Sequence, residues 1–245
     1  MAASSAKRSV AERRAALTDA LRHATSPLDC AVPIELDDGR QCVVRPLKLG
    51  DEPALCHFGL RGLSQASRDV YGPYNWASEA LSDEFSESIR QTLSRQDLHL
   101  VAETDTGEIV SHGFLWAAQA PTPELGIAVA DAWHGCGLGR CLLLLLEVAA
   151  LITGCRAIEL TTVQTNERAR RAYESVGYEM LGIIRNPVGC DVTAAFAGLA
   201  KPTSICDEFQ LVRVLIETER EDILAEMAAK RSKAIELFGP VDQVM

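Results

Sequence analysis

The sequence predicts a mixed α/β domain with a mostly antiparallel central sheet flanked by helices. Three observations predict it. An early hairpin is followed by a helical stretch; a run of three strands with short connections then reads as an antiparallel meander; and after that meander the chain alternates strand, glycine loop, helix, strand, helix, strand. This order describes a mixed sheet rather than a dinucleotide-binding fold.

The elements follow in chain order. Residues from about Ser9 to Ala24 read as an amphipathic helix, with Val10, Ala16, Leu17, Ala20 and Leu21 on one side and a Ser26-Pro27 break after it. Its apolar side can pack on the domain or on a second copy of the chain, as in a homodimer. Val32 to Leu36 and Gln41 to Pro46 form a hairpin around Asp37-Asp38-Gly39. Asp51 opens a helix, and Ser78 is expected to cap another that runs to about Ser94. His99 to Glu103 and Ile109 to Trp116 flank the turn Asp105-Thr106-Gly107-Glu108, and Glu124 to Val129 completes the meander. Leu138 to Thr153 is a helix that is apolar on most faces, Ala157 to Val163 a β-branched strand, and Asn166 to Tyr178 a helix ended by Gly177. Tyr178 to Ile184 is the next strand, residues 185–207 are irregular, Phe209 to Ile216 is the last strand, and Thr218 to Leu237 is a charged helix. The expected division is an N-terminal extension and lead-in strand (1–38), the domain (39–217) and a C-terminal helix (218–245).

Composition narrows the function classes. The chain has 245 residues, 47% of them apolar, enough for a sizeable core. A net charge of -10 argues against a nucleic-acid partner and suits a cationic amine. The cysteines at 30, 42, 56, 136, 141, 155, 190 and 206 form no C-x-x-C pair and no zinc-ligand spacing, so no metal is expected and a reducing, cytoplasmic location is. Residues 1–25 lack the apolar core of a secretory signal, and Glu12 and Asp19 count against a mitochondrial one. The longest apolar run, Cys141 to Ile152, is too short to span a membrane and contains Glu147.

The chemistry concentrates around Trp133-His134-Gly135-Cys136-Gly137-Leu138-Gly139-Arg140. Glycines at 135, 137 and 139 let the backbone approach a ligand closely, and unpaired N–H groups at the start of the following helix favour an anion such as a phosphate. Two familiar glycine loops do not fit: Arg140 takes the third-glycine place of G-x-G-x-x-G, and no Lys-Ser or Lys-Thr follows. The spacing resembles the Q/R-x-x-G-x-G/A pyrophosphate loop of the GNAT N-acetyltransferase family, with His134, Gly137 and Gly139 at its three places. His134 departs from the family's Gln or Arg.

A second stretch strengthens the resemblance. Asn166, Ala169, Tyr173, Gly177 and Tyr178 match the family's N-x-x-A-x-x-x-Y-x-x-x-G-F/Y signature, and Gly62 to Arg68 is similar to its G-L-S-x-x-S-R segment. Without the family, Asn166, Arg170 and Tyr173 fall at i, i+4 and i+7, so one helix face offers an amide, a cation and a phenol. A phenol stays protonated at neutral pH and can donate to a developing anion. Arg45-Pro46-Leu47 with Asp51 again resembles the family's first strand and helix. Tyr71, Tyr74 and Trp76 sit in a turn-rich loop of the kind that lines an acceptor site.

The resemblance covers roughly residues 39–216 and implies a GNAT-like acyl-CoA N-acyltransferase fold using acetyl-CoA as co-substrate. It implies that the strand at 125–129 splays from the strand at 158–163. Backbone groups of Gly126, Ile127, Ala128 and Val129 would then pair with the pantetheine arm, and the amides of Gly135, Cys136, Gly137, Leu138, Gly139 and Arg140 would hold the pyrophosphate. It implies direct attack by an amine acceptor, Tyr173 protonating the leaving thiolate, and a strand glutamate as base: Glu124 first, Glu159 second, with Thr161 where some relatives carry glutamate. His57, His99 and His112 lie in apolar patterns and read as structural. Two other readings stand beside the enzyme: a catalytically weak acyl-CoA-binding regulatory module, and an interaction module carried by the terminal helices.

Overall fold

The computed structural model describes residues 9–22, 31–74, 76, 78–184 and 208–238. The hairpin strands β1 (Val32–Glu35) and β2 (Gln41–Pro46) lead, through α2 (Glu52–His57), α3 (Gln65–Asp69) and α4 (Leu81–Leu93), to the meander β3 (Leu98–Glu103), β4 (Ile109–Trp116) and β5 (Glu124–Val129). The glycine loop, α5 (Leu138–Ile152), β6 (Ala157–Val163), α6 (Glu167–Ser175), β7 (Glu179–Ile184) and β8 (Glu208–Val214) follow. A helix at each end, α1 (Val10–Arg22) and α7 (Arg220–Phe238), packs on this body.

The strands join in one sheet of order β1-β2-β3-β4-β5-β6-β8-β7. Every pairing is antiparallel except β5 with β6. That exception positions the site. β6 joins the chain ahead of β5 through Arg156 and Glu159 N–H groups donating to the Pro121 and Pro123 carbonyls (2.7 and 3.0 Å), and the strands share only the Glu124–Glu159 register pair. Beyond it they part, while β5 stays paired with β4 from Glu124 to Val129. One edge of 126–129 is therefore left open to a ligand that adds as a strand.

Helix α5 is buried on nearly all sides because five consecutive leucines, Leu142 to Leu146, fill the space against the sheet. Its one buried carboxylate, Glu147, is held between Arg14 (3.0 Å) of α1 and Arg213 (3.1 Å) of β8. Burial of a charge requires such partners. Helix α1 lies on α5 in the same chain, with Leu17 buried and Val10 packed against the core while Ala16 stays exposed. Helix α7 docks Ile223 and Met227 on Ala157, Val212 and Val214, and Arg156 binds Glu219 (2.6 Å) and Glu226 (2.9 Å).

The Arg45 to Asp51 segment owes its residues to an ion pair. Arg45 donates to Asp51 (2.7 and 2.9 Å) and to Glu103 (2.5 Å), tying β2 to the start of α2 and to β3. Asp51 thus opens the helix by position, with its carboxylate committed elsewhere. Ser78 differs from expectation. Its hydroxyl accepts from the Ala80 N–H (3.0 Å) in the turn before α4, and the capping position falls to Ala80 because the helix starts only at Leu81. The expected irregular stretch 185–207 lies outside the described residues.

Candidate active site

A cavity of about 760 Å³ opens where β5 and β6 part. Its walls combine β5, the glycine loop, the first turn of α5, the end of β6, α6 and the loop after α3.

The loop takes its shape from glycine. Gly135 (φ 78°) and Gly137 (φ 89°) adopt left-handed backbone, and Gly137 caps α5 with no side-chain bond, leaving the first N–H groups of the helix free of intrahelical partners. Gly135, Gly137, Leu138, Gly139 and Arg140 all line the cavity. Cys136 does not: it is turned inward, 4% exposed, with its Sγ–H donating to the Trp133 carbonyl (2.9 Å). His134 lines the cavity, and its Nε2–H donates to the Val129 carbonyl (2.9 Å). Burial, aided by the Arg168 charge, lowers the pKa of His134 and favours the neutral ring.

Ile127, Ala128 and Val129 line the same cavity from β5. Gly126 leaves room for the ring of Phe114, which also lines the cavity, since a Cβ there would meet the ring at 2.1 Å. Glu124 lies at the mouth of the split, open to solvent through the cavity but crowded by protein elsewhere. That crowding, reinforced by Glu159, raises its carboxyl above the usual range, with Lys230 opposing. Glu159 itself is ion-paired to Lys230 of α7 and is not part of the cavity wall. Thr161 is part of it.

On the opposite wall, Asn166 caps α6 by accepting the Ala169 N–H (3.2 Å). Tyr173, 5% exposed, reaches the cavity from the same helix, and burial pushes its phenol far above its ordinary value. Arg170 falls outside the cavity lining. It pairs with Glu174 (3.2 Å) and stands 6.0 Å over the Phe209 ring. The helix faces the cavity with Ala169, Ala172 and Tyr173, so the cations that reach the wall are Arg168 and Arg171, which the Asn166-based helix face missed. Their signal was position near the first turn of α6, beside the glycine loop only in three dimensions.

The aromatic loop divides its residues. Tyr71, Gly72 and Pro73 line the cavity together with Leu63, Ser67 and Val70. Tyr74 and Trp76 anchor the loop in the core: Tyr74 bonds Ser88 (3.0 Å), and Trp76 stacks on Tyr71 (5.8 Å). Trp76 covers Gly59 so closely that a Cβ there would lie 1.9 Å away. The preceding turn, Phe58 to Gly62, is a π-helix, a form common near functional sites. Arg68 donates to its neighbouring carbonyls Gly59, Leu60 and Leu63.

Among the described residues no cluster of His, Cys, Asp and Glu could hold a metal, and no helix is long and apolar enough to cross a membrane.

Residues 64–178 match the family model described as "Acetyltransferase (GNAT) family". No curated protein sequence matches the chain. Solved structures do. The GNAT domain of S. lividans PAT is 20% identical over 76% of this chain and 97% of its own, with a TM-score of 0.57. Ribosomal-protein-S5-alanine acetyltransferase from Vibrio fischeri is 12% identical over 76% and 97%, with a TM-score of 0.60. Spermidine N-acetyltransferase from Vibrio cholerae, solved with CoA and spermine, is 16% identical over 71% and 95%, with a TM-score of 0.55. At these identities the likeness speaks for the fold, and the family model supplies the sequence link. On both grounds, residues 64–178 match the acetyltransferase (GNAT) family, and the chain has the mixed, mostly antiparallel sheet of the solved GNAT structures.

Proposed function

We propose that the protein is an acetyl-CoA-dependent N-acetyltransferase that moves an acetyl group to a primary amine of a small molecule, amino sugar, peptide or protein by direct attack. The observation that carries this reading is the parting of β5 and β6 at Glu124, with the glycine loop, Tyr173 and a carboxylate of raised pKa on one cavity. The open edge of 126–129 suits the amides of a pantetheine arm, and the N–H groups from Gly135 to Arg140 suit a pyrophosphate. Arg140, Arg168 and Arg171 add positive charge to the cavity lining.

In this reading the donor's carbonyl lies beside β5 and the amine enters past Tyr71 and Pro73. Glu124 accepts the proton that the amine must lose, and a raised carboxyl pKa makes it a better base near neutrality. The amine nitrogen bonds to the acyl carbon, the carbon–sulfur bond breaks, and the Tyr173 hydroxyl protonates the departing thiolate. Because burial keeps that phenol protonated, the proton is available at neutral pH. A cytoplasmic location is part of this reading, and the free thiols of Cys42, Cys56, Cys136, Cys141 and Cys155 are compatible with it.

The test is a calorimetric titration with acetyl-CoA, with Gly137→Glu as control, followed by an amine screen. Micromolar binding that the variant loses, together with consumption of an amine, supports the enzyme. Binding with no amine consumed favours the regulatory module, and no binding overturns the donor assignment.

A further inference from the structure

Helix α1 reaches the glycine loop through one buried guanidinium. Arg13 is 7% exposed; it forms an ion pair with Asp37 and donates to Cys141 Sγ (3.2 Å) in the first turns of α5. Asp37, in the turn after β1, belongs to the cavity wall. Its N–H donates to the Cys136 carbonyl (3.0 Å), and its carboxylate lies so close to Gly137 that a Cβ there would come within 2.8 Å of Oδ2. The turn's other flank is fastened as well: Arg40 donates to the Ala132 carbonyl (3.0 Å) and stacks 4.2 Å over Trp133.

A carboxylate at this place is at odds with a polyanionic ligand. The loop's free N–H groups favour negative charge, whereas an uncompensated Asp37 would repel it. Only Arg13 is seen to neutralise that carboxylate among the ion pairs of the described residues.

We propose that Arg13 is a positioning residue for the acyl donor, cancelling the charge of Asp37 at the pyrophosphate loop so that donor affinity depends on an ion pair supplied by the N-terminal helix. The proposal rests on the donor reading given above. Its consequence is a charge order rather than a general loss of fit. Arg13→Gln leaves a net negative charge beside the loop, Asp37→Asn leaves a net positive one, and the double variant restores neutrality.

The experiment is calorimetric titration of full-length wild type, R13Q, D37N and R13Q/D37N with acetyl-CoA, with thermal unfolding measured alongside. R13Q should bind about tenfold more weakly, D37N as tightly as wild type or about threefold more tightly, and the double variant within about threefold of wild type. Both single variants should unfold at lower temperature, so D37N loses stability without losing affinity. Equal weakening by both single variants would mean that the pair merely packs the hairpin, and would overturn the proposal. Should R13Q not fold, D37N alone decides it: weaker binding than wild type overturns it. If wild type binds no acetyl-CoA, the donor reading fails first; if it binds and the charge order is absent, only this inference fails.

Discussion

The two walls of the cleft are built from different materials. On the β5 side, glycines at 126, 135, 137 and 139 contribute backbone alone, set between the side chains of Glu124, Ile127 and His134, and a helix of buried leucines packs on the sheet. On the β6 side, α6 is a polar helix that presents Asn166, Arg168, Arg171 and Tyr173 as side chains. The difference teaches where each wall is sensitive. A backbone wall is damaged by adding atoms, and a side-chain wall by removing them.

The largest expected effect adds atoms to the backbone wall. Gly137→Glu forces a left-handed φ on a side chain, pushes into Asp37 and places a carboxylate at the loop proposed to hold the pyrophosphate. Donor affinity should fall about a thousandfold in calorimetry, from like-charge repulsion added to strain of about 1–2 kcal/mol. Unchanged affinity would mean that the loop does not hold the donor.

Next comes removal from the side-chain wall. Tyr173→Phe keeps the packing but removes the proton, so kcat should drop about a hundredfold with donor affinity unchanged. A drop in affinity instead would assign the phenol to binding.

Gly126→Ala sharpens the comparison within β5. Its new methyl meets the Phe114 ring at 2.1 Å, and overpacking of this kind costs about 1–3 kcal/mol in chemical unfolding. A stable variant would show that the Phe114 ring has room to move.

Glu124→Gln should lower activity about tenfold at neutral pH and remove the acid limb of the rate profile. Its folded pKa is raised, so the native state binds its proton more tightly than the unfolded state does. That group costs stability as pH rises through the raised pKa, and the Gln variant should therefore unfold no earlier than wild type at pH 7. Lower activity with equal or higher stability is the expected signature.

The smallest effect lies beneath the backbone wall. His99 and His112 stack inside the sheet, Nδ1 to Nε2 at 3.1 Å, and burial lowers both pKa values. The unfolded chain then takes up protons before the folded one does, so stability present above about pH 6.5 is lost as pH falls. The thermal midpoint should decline from pH 7 to 5, more shallowly in His112→Gln; parallel profiles would show that the pair does not govern acid unfolding.

Much of the fold was legible in the chain. β2, β4, β5 and β6 have the ends expected of them, because β-branched runs bounded by turn residues define strands locally. The glycine loop and the Asn166 to Tyr178 signature were legible for the same reason: spacing along one helix or turn is short-range information. Ser78 missed its helix because capping depends on where the first turn closes, three residues later. The face of α6 was misjudged at Arg170, since which side of a polar helix turns inward is set by the sheet it lies on.

By itself, then, the sequence determined the strand and helix order, the glycine loop at the start of α5 and the family motifs, all consequences of local backbone preference and hydrophobic period. Only the tertiary structure decided that β5 and β6 part after one shared pair, that Glu159 is committed to Lys230 while Glu124 faces the cavity, and that Arg13 and Asp37 meet at Gly137. The two ion pairs among those juxtapositions join residues 24 and 71 positions apart. Long-range contacts of that kind leave no periodic trace in a chain, because they are chosen by how the layers pack and not by what each segment prefers.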